Sequence, residues 1–230
     1  LGRIDSSIHY VEAAKQIAPD NAGVRVQLGF LYLQGGARAT ARAQLDSALM
    51  LDPNHPQAHK LFGLWLTQAQ QIDSAIVVYQ HVVELQPDDV EAHNNVAFLL
   101  AGKARYAEAL EWYKKTKLLS SDPQLLHAVN LNMEGIRAIM AGKMRARYIL
   151  VETQASCEQV AAKAAAGEDF GELAAQFSIA PNAAEGGDLG FFGPGDMVTA
   201  VEEAVLGLGV GEVSAVIPIG RHFMLLERLN

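Results

Sequence analysis

The first half of the chain repeats its apolar pattern every 34 residues. Pro19, Pro53 and Pro87 share this spacing, and so do three columns of small or apolar side chains. These columns are Ala41, Ala75 and Ala109; Val11, Leu45, Tyr79 and Tyr113; and Gly29, Gly63 and Ala97. Proline cannot continue a helix interior, whereas small side chains let two helices approach closely. The pattern predicts helical hairpins over 22–55, 56–89 and 90–123, with a lone second helix in 1–21.

Several independent columns agree on one period, and over residues 1–122 they resemble the tetratricopeptide repeat family. The resemblance implies an α-helical solenoid whose concave face binds peptides or partner helices. The family's inward positions are Val26, Phe30, Gln34, Lys60, Leu64, Gln68, Asn94 and Phe98. The alternative for the apolar members is packing between hairpins. A half repeat leaves an apolar face unpaired, so we expect the natural chain to extend upstream.

A further helix is predicted over residues 123–143. Asp122 suits the N-cap and Pro123 the first turn, while apolar residues follow at helical spacing until Gly142. The repeat columns fade here. We therefore expect this helix to cap the repeats and to lead into a second domain over residues 144–230.

From residue 144 the pattern becomes mixed. In chain order it predicts a strand at 147–151, a helix that begins with a capping box at 156–159, and a second helix at 169–177. A glycine-rich turn and strand follow at 185–192. The last elements are a helix that begins with a second capping box at 199–202 and a hairpin that turns near Gly220. This order of elements indicates a small α+β domain with an antiparallel sheet.

The motifs YILVET, GEDFGELAAQFS, GGDLGFFGPGDM, VEEAV, GEVS and HFMLLERL occur here in the order typical of parvulin-type peptidyl-prolyl isomerases. The domain resembles that family nearly end to end. The resemblance implies rotation about an X–Pro peptide bond, whose uncatalysed barrier is roughly 18–20 kcal/mol. No covalent bond breaks in this reaction, so no cofactor is expected.

Matched to the family, four residues are expected to line the pocket for the proline ring: Leu189, Phe192, Met197 and Val201. Leu189 and Phe192 also suit ordinary core packing, because any strand needs an inward face. Met197 follows a glycine-rich loop, where function is more common than packing. Val201 replaces the family's usual aromatic residue, which predicts a wider and shallower pocket.

The polar group of the site departs further from the family. Tyr148 stands where the first-strand histidine is expected, and Ala180 replaces the usual cysteine or aspartate. His222 retains the histidine of the closing strand, although a lone histidine is also common in cores and on surfaces. The tyrosine hydroxyl can still donate a hydrogen bond. These three positions therefore predict a degenerate catalytic group.

Charge and composition narrow the partners. Residues 1–143 carry a net charge of −1 and residues 144–230 a net charge of −7, which disfavours nucleic acid and phosphorylated peptides as partners. The sequence contains no long uncharged apolar run, so no membrane span is predicted in this segment.

The cysteine and histidine residues predict neither a disulfide nor a metal site. The chain has one cysteine, Cys157, which excludes an internal disulfide. His55 and His59 lie four residues apart, but no third ligand is evident and no metal site is predicted.

Three interpretations follow. The first is an isomerase-like foldase or chaperone that recruits a protein client through its repeats and engages non-phosphorylated X–Pro segments. The alternative is a catalytically weak or inactive adaptor, in which the same groove binds peptide without accelerating rotation. A third possibility is that the parvulin-like domain supplies only an oligomerisation surface. The family resemblance also implies a location in the bacterial periplasm or envelope.

Overall fold

A computed structural model describes residues 2–230, with side chains from Ile4 onward. Leu1, which the predicted first helix includes, lies outside the described residues. The chain divides into two compact units, of which the first ends at Met133 and the second begins at Glu134. Within the described residues, none of the helices is both long and apolar enough to span a membrane.

The first unit consists of helices. Their bounds are α1 (Gly2–Ile17), α2 (Ala22–Gln34), α3 (Arg38–Leu51), α4 (Pro56–Gln68), α5 (Ile72–Leu85), α6 (Val90–Gly102), α7 (Tyr106–Leu119) and the first part of α8 (Pro123–Met140). The turns at 18–21, 52–55 and 86–89 contain the three prolines of the repeat, so each proline lies between two helices.

The 34-residue period also sets how these helices begin and pack. Asn21, His55 and Asp89 are N-caps of α2, α4 and α6, and each side chain accepts a backbone N–H three residues ahead. His55 is therefore a helix cap. At Gly63, an added Cβ would lie 2.8 Å from the Tyr79 ring, so the small-residue column lets neighbouring helices approach closely.

The second unit is an antiparallel sheet with helices on both faces. Its elements are β1 (Met144–Val151), α9 (Gln154–Ala165), α10 (Phe170–Phe177), a 3-10 turn (Ala183–Glu185), β2 (Asp188–Phe192), α11 (Thr199–Gly207), β3 (Ile217–Ile219) and β4 (His222–Arg228). The strand order is β2-β1-β4-β3. The predicted α+β class is confirmed.

Side chains along β1 and β4 point alternately to the two faces of the sheet, and the core of this unit therefore forms two clusters. One face packs Ile149 and Leu225 against α9 and α10, and the other packs Ala146 and Leu226 against α11. Side chains two residues apart on a strand share a face, so each strand supplies both clusters. The face toward α11 carries the candidate site.

The predicted start of α9 was wrong by one helical turn. The cap is Thr153, whose hydroxyl accepts the N–H of Ser156, and not Ser156 itself. Thr153 has extended backbone angles, so the helix begins directly after it and Ser156 already lies in its first turn.

Candidate functional site

Five of the seven residues predicted for the isomerase site lie in one cluster on the α11 face of the sheet. Phe192 and Val201 belong to its buried part, with 1% and 4% of their surface exposed. Tyr148, Leu189 and Met197 pack against this cluster and are half-buried. Phe192 and Val201 thus form the floor of the cluster, and the other three retain exposed surface that a ligand can contact.

His222 is the first residue of β4 and is half-buried. It pairs across the hairpin with Ile219, which packs against the same cluster. His222 shares its strand face with Met224, because side chains two apart point the same way. The imidazole therefore belongs to the face that carries Tyr148, at the end of the sheet where β3 and β4 meet.

Ala180 lies on a segment that runs beside β1. Ile179 donates its N–H to the Leu150 carbonyl (2.8 Å), and the Ser178 hydroxyl accepts the N–H groups of Leu150 (3.1 Å) and Ala180 (3.2 Å). Leu150 is two residues from Tyr148 on the same strand face. The Ala180 methyl is buried, with 6% of the residue exposed. The position is close to the cluster, but it offers no polar side-chain atom.

The glycine-rich turn before β2 also contacts β1 closely. Tyr148 donates its N–H to the Gly187 carbonyl at 2.9 Å. Gly187 has a φ of +74°, and a Cβ there would lie 2.1 Å from the Tyr148 carbonyl oxygen. Only glycine meets both requirements, so the Gly-Gly motif fixes how β2 enters the sheet beside Tyr148.

Asp188 anchors β2 to β1. Its carboxylate accepts hydrogen bonds from the Arg145 guanidinium and from the Gly190 N–H. The Arg145 hydrogen bonds hold the pKa of Asp188 below its ordinary value, against the opposing effect of burial, and the Gly190 N–H adds to the lowering. Asp188 therefore serves to hold the strand that carries Leu189 and Phe192.

The second predicted capping box was also wrong. Thr199 is the first residue of α11, and the preceding Val198 is an N-cap without a side-chain hydrogen bond. Glu202 does not reach back to its own helix start. Its Oε1 instead accepts the N–H groups of Gly195 (2.8 Å) and Met197 (3.0 Å) in the preceding loop. The Thr-x-x-Glu pattern in the sequence does mark Glu202 as a hydrogen-bond acceptor. Its partners are N–H groups of the preceding loop, however, and not the start of its own helix.

The cluster offers the kind of surface that an apolar ring contacts. Leu189 and Met197 supply half-buried apolar surface above the Phe192 floor, and Tyr148 adds a hydroxyl. Twisting an amide removes its resonance and makes its carbonyl less polar, so an apolar environment favours the twisted state. Among the described residues, no group of three His, Cys, Asp or Glu side chains could hold a metal ion.

The repeats contain a separate groove of about 250 Å³ between α4, α5 and α6. It contains three of the predicted concave residues, Lys60, Leu64 and Phe98. Leu64 and Phe98 are 38% and 61% exposed, so they are not sealed between hairpins. The full lining is Gln57, Lys60, Leu61, Leu64, Thr67, Tyr79, Glu91, Asn95, Phe98 and Leu99.

The other predicted concave residues differ in their surroundings. Val26 is 6% exposed and packs in the core of the first hairpins, because α2 turns this side chain toward α3 and α4, so it offers no surface to a ligand. Asn95 lines the groove and Asn94 does not. Phe30 is 37% exposed, and the amides of Gln34 and Gln68 are exposed at the ends of α2 and α4.

Lys60 is neutralised within the groove. Its ammonium lies 3.0 Å from Asp89 and 3.1 Å from Glu91. Burial acts to lower the pKa of Lys60, but the hydrogen bonds to Asp89 and Glu91 outweigh it and raise the pKa. The groove therefore presents apolar and amide groups with a cation that already has two carboxylate partners.

These features define a helical-repeat array followed by a small α+β domain of the isomerase type. Residues 148–228 match the PPIC-type PPIase (rotamase) domain, and residues 1–62 match a tetratricopeptide repeat family. The chain therefore contains tetratricopeptide repeats and a PPIC-type peptidyl-prolyl isomerase domain, as the sequence predicted.

Two similar bacterial proteins carry foldase names, which agrees with this family assignment. The chain is 52% identical over 73 residues to foldase protein PrsA of Geobacillus kaustophilus, covering 31% of this chain and 26% of the relative. It is 44% identical over 87 residues to foldase protein PrsA of Halalkalibacterium halodurans, covering 36% and 26%. The matched part thus spans about a quarter of these relatives' length. The crystal structure of MamA shares the fold at 22% identity and a TM-score of 0.51, over 58% of this chain and 79% of MamA.

Proposed function

We propose that this chain is an isomerase-like foldase that binds non-phosphorylated X–Pro segments in its C-terminal unit. The observation that carries the proposal is the single cluster of Tyr148, Leu189, Phe192, Met197 and Val201. It brings together residues of two strands, a loop and a helix on one face of the sheet. The named relatives are foldases, which supports this class of function.

In this proposal the proline ring lies against Leu189 and Met197, above the Phe192 floor. The X–Pro carbonyl is directed toward the polar side, where the Tyr148 hydroxyl and the His222 imidazole are available. Catalysis would come from favouring the less polar twisted amide in an apolar site. Because Ala180 supplies no polar atom, we expect weak acceleration compared with complete parvulin sites.

The repeats would recruit the client. The groove with Leu64 and Phe98 offers apolar contacts, and Gln57 and Asn95 offer amides that can bond an extended peptide backbone. Lys60 is already paired, so we expect the groove to prefer uncharged internal segments over a free C-terminal carboxylate. The net charge of −7 beyond residue 143 argues against phosphorylated clients.

The test is an isomerisation assay on neutral X–Pro peptides, with phosphorylated peptides as the comparison. We expect measurable binding and slow acceleration for the neutral set, and weaker binding for the phosphorylated set. Met197→Ala should weaken peptide binding. Tight binding of phosphorylated peptides, or no binding of either set, would contradict the proposal.

A second candidate is an adaptor that binds X–Pro segments without catalysis. The buried methyl of Ala180, at the position where the family carries a polar group, favours it. Binding with no acceleration above the uncatalysed rate would select the adaptor. For either function we propose a location in the bacterial envelope, which fractionation of the source cells would test.

A further inference from the structure

The turn that carries Met197 is closed by its own hydrogen bonds. Asp196 donates its N–H to the Gly193 carbonyl (3.1 Å), and the Asp196 carboxylate accepts the Gly193 N–H (2.8 Å). Pro194 stands second in the turn and Gly195, with a φ of +89°, stands third, which fits a type II turn. These bonds shape the turn but leave its orientation relative to α11 undetermined.

Glu202 supplies that orientation. One oxygen of its half-buried carboxylate accepts both the Gly195 and the Met197 N–H. Hydrogen bonds from backbone N–H groups to a carboxylate are among the stronger ones in proteins. The negative charge in the first turn of α11 is also favourable at a helix N-terminus. The carboxylate therefore ties the turn to the helix at two successive donors.

The position of Glu202 along α11 places it between two parts of the candidate site. The preceding residue, Val201, is buried in the cluster against which Met197 packs. One short helix segment thus provides both the floor of the site and the tether of the loop above it. Because Val201 is smaller than the aromatic side chain expected there, the site depends more strongly on where Met197 lies.

We infer that Glu202 is a positioning residue for the proline site, acting by holding the Met197 backbone so that its side chain lies over Phe192 and Val201. The inference rests on the proposed function, in which Met197 contacts the proline ring. Without the tether the turn moves relative to α11, and only the fraction with Met197 over the cluster binds ligand. The apparent affinity then falls in proportion to that fraction.

The test compares Glu202→Ala with Glu203→Ala, because Glu203 is the exposed neighbour of equal charge. Titration with a neutral X–Pro peptide should give a dissociation constant about tenfold higher for Glu202→Ala, or about 1.4 kcal/mol. Glu203→Ala should change it by less than about twofold. Glu202→Gln should restore most of the affinity, because its amide oxygen can accept the same two N–H groups.

A second readout does not depend on peptide binding. In NMR spectra, Glu202→Ala should speed exchange of the Gly195 and Met197 amide protons and lower the order of the Met197 methyl group, whereas Glu203→Ala should not. If the wild type binds no peptide, the proposed function fails and these signals still test the tether. A folded Glu202→Ala variant with unchanged loop signals, or with unchanged affinity in a wild type that binds, overturns the inference.

Discussion

Replacing Tyr148 by histidine and Ala180 by aspartate would introduce the two polar groups that parvulin-type sites carry at these positions. Tyr148 lies in β1, and the segment that ends at Ala180 hydrogen-bonds to Leu150, two residues further along the same strand. We expect the double variant to isomerise neutral X–Pro peptides faster than the wild type.

The expected gain follows from hydrogen-bond energetics. Each restored polar contact stabilises the transition state by about 1–3 kcal/mol, a factor of roughly five to more than a hundred in rate. Ala180 is 6% exposed, so a carboxylate there loses most of its hydration. Unless it finds a partner, burying this charge costs on the order of several kcal/mol of folding stability. An imidazolium at position 148 is the partner we expect.

The assay therefore needs both single variants as well as the double. Rates come from NMR exchange between cis and trans peptide, and stabilities come from urea unfolding. We expect Ala180→Asp alone to be destabilised and the double variant to recover part of that loss. The matched control replaces Ala180 by asparagine instead of aspartate in the Tyr148→His background. Asparagine has nearly the same shape as aspartate but no charge, so this variant should gain little activity.

Two results would refute this reasoning. A wild-type rate equal to that of efficient parvulins would mean that Tyr148 or the apolar cluster alone suffices. A folded double variant with no gain in rate would mean that positions 148 and 180 do not face the substrate carbonyl.

Three further predictions concern stability, reactivity and the repeats. In urea titrations, Gly187→Ala should lower the free energy of unfolding by more than about 2 kcal/mol, because a Cβ there meets the Tyr148 carbonyl. Gly190→Ala should lower it by only about 1 kcal/mol, because Gly190 also has positive φ but has open space around it. Equal losses for the two variants would contradict the steric argument. Burial raises the pKa of the Cys157 thiol to about 11, so alkylation at pH 8 should be slow until the unit unfolds, and rapid labelling of native protein would contradict the buried placement. Phe98→Ala should weaken client-peptide binding to the repeats, while Val77→Ala, equally exposed outside that groove, should not; similar effects of both would argue against the groove.

The capping boxes show where reading the sequence alone was insufficient. The Ser-x-x-Gln and Thr-x-x-Glu patterns are both present, yet α9 begins earlier, directly after its cap Thr153, and Glu202 binds a loop. A capping pattern identifies a side chain that can accept a hydrogen bond. It does not determine which backbone N–H groups the preceding chain brings within reach of that side chain. Val26 is a similar case, because the period predicts its column while packing against residues of α3 and α4 buries its side chain in the core.

The sequence by itself determined the repeat architecture, because the two helices of each hairpin pack mainly on each other and the same contact recurs every 34 residues. Gly63 against Tyr79 is such a contact, and it lies in a column of small residues where the sequence predicts that two helices approach closely. The second unit's elements were also readable from alternation and glycines. The family resemblance assigned Tyr148, Phe192 and Val201 to one site, but only the tertiary structure showed which face of the sheet carries them and that Glu202 binds the loop before α11. Those contacts join a strand, a loop and a helix far apart in the chain, and no local period encodes which side chains meet across them.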